Sequence, residues 1–164
     1  MRKVFKLILG VLLLIPALCR GENCAWLNAA TAGGVLGGQV TSTVVHTTPQ
    51  DTTCEFTRSQ GAAIFSLQIA VHTMAAFDKE FPAYLGLCGT SAIPLRAIGN
   101  EAVECTRHDG HDLVSELVVG RVRDRAFILK WSMPKSSQGA GAQSQDEIRE
   151  TIRNVAEQVA GSLF

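Results

Sequence analysis

Residues 62–73, Ala62-Ala63-Ile64-Phe65-Ser66-Leu67-Gln68-Ile69-Ala70-Val71-His72-Thr73, alternate between an apolar and a more polar set. Ala63, Phe65, Leu67, Ile69 and Val71 fall on one side and Ser66, Gln68 and His72 on the other, the period of two that a half-buried β-strand requires. Such a strand belongs in an antiparallel sheet with one covered face and one wetter face. Upstream, Ser59-Gln60-Gly61 is a turn signal. Before it come a strand from Thr52 to Arg58, in which Cys54 and Phe56 share a face, and the Val/Thr-rich strand Gln39 to Thr48, joined by Pro49-Gln50-Asp51. Ahead of these, Trp26 to Leu36 reads as a short helix capped by Asn28 and ended by Gly37-Gly38. Gly33-Gly34 inside it works against that helix, at about 1 kcal/mol per glycine relative to alanine.

Downstream, Phe77 to Leu87 has helical spacing, provided Pro82 sits early enough not to break it. Glu101 to Arg107 is a strand with Val103 and Cys105 on one face, His108-Asp109-Gly110 is a turn, and Leu113 to Arg123 is a longer strand. Asp124 closes another hairpin into Ala126 to Met133, with Phe127, Leu129, Trp131 and Met133 on one side. Thr57-Arg58-x-x-Gly61-(x4)-Ser66 recurs as Thr106-Arg107-x-x-Gly110-(x4)-Ser115, a hint of two similar hairpins. Lys135 to Gln145 reads as a flexible Gly/Ser/Gln linker. Ser144 and Glu147 then form a capping box for a helix with apolar positions at Ile148, Ile152, Val155, Val159 and Leu163. The expected fold is α+β: a curved antiparallel sheet of about six strands, in the order helix, three strands, helix, three strands, helix, with the helices packed on one face.

Met1-Arg2-Lys3 and Lys6, followed by an apolar run from Leu7 to Leu18 and then Cys19-Arg20-Gly21, have the layout of an export signal. The run is about 12 residues, against roughly 18 or more for a membrane-spanning helix, so cleavage is expected, with residues 1–21 as signal peptide and 22–164 as one secreted domain. Lipidation at Cys19 is the rival reading. Bulky Leu18 ahead of Cys19 is a poor fit to a lipid-acceptor context, and a membrane association is expected only if that lipid is attached. Loss of the leader removes four of 15 basic residues against an unchanged 15 acidic ones, leaving a mildly acidic chain without the basic excess of a nucleic-acid binder. It also leaves an even cysteine set, Cys24, Cys54, Cys88 and Cys105, which in an oxidising compartment implies two disulfides. Three pairings are open; sequence order favours Cys24 with Cys54 and Cys88 with Cys105, each tying a helix end to a strand.

His108, Asp109 and His111, with Asp112, could ligate a divalent transition metal, more so if His46 or His72 approached; the competing and favoured reading is an Asp-Gly hairpin turn. Arg121, Arg123 and Arg125 flank a hairpin tip and could clamp a phosphate, a carboxylate or an acidic partner, or else pair with Glu116 and Asp124 as a solvated edge. The aromatic set Trp26, Phe65, Phe127 and Trp131 falls at core-facing positions. There is no G-x-S-x-G, no Walker spacing and no C-x-x-C, so no catalytic set and no cofactor are expected.

Cys24-Ala25-Trp26-Leu27, Gly37-Gly38, Cys54-Glu55-Phe56, Leu67-Gln68-Ile69-Ala70-Val71, Ile98-Gly99-Asn100-Glu101-Ala102-Val103 and Val119-Gly120-Arg121-Val122-Arg123 together resemble small exported bacterial proteins of unknown function. The layout is similar to that of uncharacterised actinobacterial lipoprotein domains, which begin after the signal with a cysteine and a short helix ending in glycine. The resemblance implies an α+β fold with a curved antiparallel sheet and carries over no catalytic residue. The expected function is that of a periplasmic or secreted envelope protein that binds an envelope partner or a small ligand on the wetter sheet face or at the hairpin tips. The alternatives are a periplasmic metal-binding or metal-sensing protein, and a hydrolase whose acid and base lie on distant strands.

Overall fold

In the computed structural model, which describes residues 23–48, 51–137 and 144–164, the alternating segments pair into one seven-stranded antiparallel sheet. The strands are β1 (Thr41–Thr48), β2 (Asp51–Gln60), β3 (Ala63–Thr73), β4 (Ile93–Leu95), β5 (Glu101–Asp109), β6 (Leu113–Val122) and β7 (Arg125–Pro134). Across the sheet they run β1-β2-β3-β7-β6-β5-β4, so two meanders meet where β3 pairs with β7. Helix α1 (Ala29–Leu36) precedes the first meander, α2 (Phe77–Leu85) separates the two, and α3 (Gln145–Ser162) follows the second. The seventh strand is β4, which the sequence reading left unassigned; it is three residues long and carries Pro94, tolerated because β4 is an edge strand.

Directly opposed residues share a face, so the register sorts the side chains. One row runs Cys54, Ile69, Leu129, Val118, Glu104, and the next Phe56, Leu67, Trp131, Glu116, Thr106. Helices α1 and α3 cover this face. Ile148, Ile152, Val155 and Val159 of α3 are buried against it, each worth roughly 1.5–3 kcal/mol relative to an exposed side chain. The capping box forms as the sequence suggests: Glu147 N donates to Ser144 Oγ and Ser144 N to Glu147 Oε2. Two acids lie under α3, each held by an arginine of that helix. Arg153 bonds Glu104 through Nε and Nη2, and Arg149 lies 3.5 Å from Glu116, whose carboxylate also accepts from Gln145 Nε2 and Thr106 Oγ1.

Helices do not pack on one face only. Phe81 of α2 is buried with Leu117, Val119 and Ala126, which by register lie on the side of the sheet opposite Val118 and Phe127. The cause is written in β6, where Leu117-Val118-Val119 is apolar on both sides and buried on both. Each face has one disulfide. Cys24–Cys54 fastens the segment before α1 to β2, and Cys88–Cys105 fastens the segment after α2 to β5, the two pairings that chain order favours. For loops of 30 and 17 residues the chain-entropy term is about 3 to 4 kcal/mol each. Two disulfides fit a secreted or periplasmic protein. Among the described residues no helix is long and apolar enough to cross a membrane.

Three further readings need correction or placement. Pro82 sits at the sixth position of α2, and the helix still continues to Leu85. The two hairpins with the shared sequence pattern differ in register: Thr57 opposes Ser66, whereas Thr106 opposes Glu116 and Arg107 opposes Ser115. The β2–β3 loop encloses two residues and the β5–β6 loop three, so Arg58 emerges on the α1/α3 face and Arg107 on the other. Of the linker, Lys135–Ser137 is a 3₁₀ turn and Gln145 already belongs to α3. Residues 1–22 with the leader and Cys19, the Pro49-Gln50 turn and residues 138–143 lie outside the described residues.

Candidate functional site

The apolar face of β2 should continue from Cys54 and Phe56 into a third apolar residue, but the next position on that face is Arg58. Its guanidinium lies over the Phe65 ring, 5.2 Å from the centroid. Nη1 donates to the Leu36 carbonyl at 2.8 Å, one of the acceptors that the last turn of α1 leaves open, and Nη2 donates to Gln60 Oε1 at 2.8 Å. Helix α1 stops there because Gly37 adopts φ 76°, and Gly38 leaves room for the arginine: a Cβ at Gly38 would stand 2.9 Å from Arg58 Nε. Among the described residues no carboxylate pairs with Arg58.

Arg58 borders a cleft of about 640 Å³, within the range of small-molecule sites. The sheet supplies Phe65, Trp131 and Met133, α1 supplies Leu36 and Gly37, the β2–β3 hairpin supplies Gln60 and Ala63, and the far wall is Ser137 and Ile148. Trp131 is 2% exposed, and its indole Nε1 is the one buried side-chain polar atom without a hydrogen-bond partner among the described residues. An unpaired buried donor of this kind costs about 1–3 kcal/mol. The sequence reading counts Trp131 as core, and it is core; its unpaired N–H in a residue lining a cleft is the part that periodicity does not reveal.

The arginine trio does not converge. Arg121 packs on the Phe77 and Phe81 rings of α2, at 4.6 and 5.6 Å, with Glu101 at 3.8 Å, whereas Arg123 faces Phe164 at the end of α3 at 6.0 Å. The two guanidiniums therefore serve helices on opposite faces of the sheet, Arg125 is exposed at the start of β7, and Glu116 lies under α3 rather than beside the trio. The histidine hairpin turns later than His108-Asp109-Gly110: His108 and Asp109 end β5, the turn is 110–112 with Gly110 at φ 73°, and His108 and His111 are exposed. Asp109 bonds Lys130 at 2.6 Å and accepts from Ser115 at 2.8 Å; the Lys130 bond above all, helped by Ser115 and Arg107, holds its carboxyl below the usual value against the opposing effect of burial. Among the described residues no three ligating side chains come together as a metal site.

The part of the outer face that α2 leaves open carries Thr57, Ser66, Ser132 and Ser115 in one cross-strand row. Its Ser115, Ser132, Asp109 and Lys130 bond one another. At the far end of β3, His72 Nδ1 lies 3.4 Å from Asp51 and stacks on Tyr84 at 5.5 Å. Burial, with Asp51 and Glu80, pushes the Tyr84 phenol up. This group lies on the face opposite the cleft and at the other end of β3. Comparison of the chain with protein-family models, curated proteins and solved structures finds no match.

Proposed function

We propose that this chain is an exported bacterial envelope protein, periplasmic or secreted, that acts as a non-catalytic binding module and takes a small amphipathic ligand in the cleft between α1, the β2–β3 hairpin and α3. The observation that carries this reading is a cleft of ligand size, lined by Phe65, Met133 and Ile148 and bordered by Arg58, which has no carboxylate partner among the described residues. Phe65, Met133 and Ile148 offer apolar contact and Arg58 a polar anchor. The described lining includes no His, Asp, Glu, Cys, Lys or Tyr, and so lacks a group that could exchange protons near neutral pH. The outer sheet face is a weaker candidate because its central polar side chains already bond one another. Export is supported by the leader-like residues 1–21 and by two disulfides. Attachment to the membrane depends on whether Cys19 receives a lipid.

A thermal-shift series with the oxidised protein and a panel of small amphiphiles tests the reading. Ala63→Trp, at the first residue of β3 and itself in the cleft lining, places an indole in that space. Stabilisation of the wild type by a panel member, lost in Ala63→Trp, is the expected result. A wild type that responds to no member, or a variant that responds equally, overturns it.

A further inference from the structure

We infer that the ligand of this cleft is an amphipathic monocarboxylic acid whose carboxylate is received by Arg58 and whose apolar chain runs along Phe65, Trp131 and Met133. The inference rests on the binding reading above and adds the chemistry of the head group.

Arg58 is held in place before any ligand arrives. One bond goes to the Leu36 carbonyl, one to Gln60 Oε1, and the plane lies over Phe65. A guanidinium carries five N–H donors, so after these two bonds three remain for an incoming acceptor. Arg107, Arg121, Arg149 and Arg153 each have an acid within 4 Å. Arg58 has none among the described residues, although it sits on the covered face of the sheet, where a charge is least expected. A free cation with donors to spare, fixed at the edge of an apolar cleft, is complementary to an anionic head on an apolar body.

Charge matching selects the class of head. The described lining offers one cation and no other charge, which suits a singly charged carboxylate better than a doubly charged phosphate monoester. The apolar side chains that follow Arg58 into the cleft are the aromatic and thioether groups that accept a flexible chain.

The test is calorimetric titration of the oxidised wild-type protein with straight-chain carboxylates of increasing length and with the primary alcohols of the same lengths. The expected result is binding of both, with the carboxylate at least tenfold tighter than its alcohol, and affinity rising about fourfold per added methylene until the cleft is filled. Arg58→Met should lower carboxylate affinity at least tenfold, to that of the alcohol of the same length, and a cooperative urea transition shows that the variant is folded. If wild-type affinities for acid and alcohol are equal, the carboxylate inference is overturned while binding in the cleft stands. If neither class binds, both fall.

Discussion

Replacing Arg153 by methionine tests how α3 is held to the sheet. Glu104 has a side chain only 4% exposed, and its carboxylate is met by Arg153 Nε at 2.6 Å and by Nη2 of the same residue. Removing the arginine leaves a buried acid with no cation, a change that costs 3–5 kcal/mol in comparable buried pairs. Arg153 itself is 43% exposed, so solvent already screens part of the attraction, and about 3 kcal/mol is expected. Urea unfolding of the oxidised protein at neutral pH measures this directly, with an unchanged slope showing that only stability has moved. The companion Glu104→Met/Arg153→Met removes both charges and should return to within about 1 kcal/mol of wild type, because the methionines can pack where the pair was. A single variant that loses less than about 1 kcal/mol, or a double variant as unstable as the single, would refute the account of a carboxylate trapped under α3.

Two more outcomes follow from the same packing. Gly120 lies opposite Phe127 on the α3 face, and a Cβ there would stand 2.2 Å from the Phe127 Cζ of a ring that is fully buried. Gly120→Ala should therefore cost about 3 kcal/mol in urea unfolding, whereas Gly161→Ala, with open space around it inside α3, should be neutral or stabilising by up to about 1 kcal/mol; equal effects at the two sites would contradict the packing. Because the Lys130 bond lowers the Asp109 carboxyl in the folded state, that residue adds stability above the usual aspartate range near pH 4 and loses it as pH falls through its lowered value. Asp109→Asn should flatten the acid limb of a stability–pH curve below about pH 4, and parallel curves for variant and wild type would show that the Lys130 bond does not act in this way.

Much of the fold is readable in residue order because it rests on local signals. The Asn28 cap with Gly37, the Ser144–Glu147 box and the strict alternation of β3 each specify an element within a few residues, and each forms. The layer arrangement is harder, since it depends on which side of a strand a residue takes. Cys54 and Cys105 each sit on a strand with an apolar neighbour two residues away, yet one faces α1 and the other α2. What distinguishes the second case is the run Leu117-Val118-Val119 in the neighbouring β6, whose two apolar sides require two covers. β4 escapes notice for a different reason: three residues are too few to show a period, and Pro94 argues against a strand until the edge position is known.

The cleft was not legible in the sequence. Arg58 is the residue that spoils the apolar series Cys54, Phe56 on β2, and it recurs in the Thr-Arg pattern at Arg107. One residue of loop length separates their fates: the two-residue β2–β3 turn sends Arg58 to the helix-covered face, and the three-residue β5–β6 turn sends Arg107 to the open one. Residue types alone hold no record of that parity, nor of the meeting of α1, β7 and α3 that places Trp131 beside it. Two of the charges conspicuous in the sequence are engaged, Arg121 with α2 and Asp109 with Lys130, while the inconspicuous Arg58 keeps donors to spare. In a fold where buried acids are matched by arginines and the outer polar row bonds within itself, unspent hydrogen-bonding capacity points to a ligand more directly than clustering does. That capacity lies at Arg58, on the wall of one cleft.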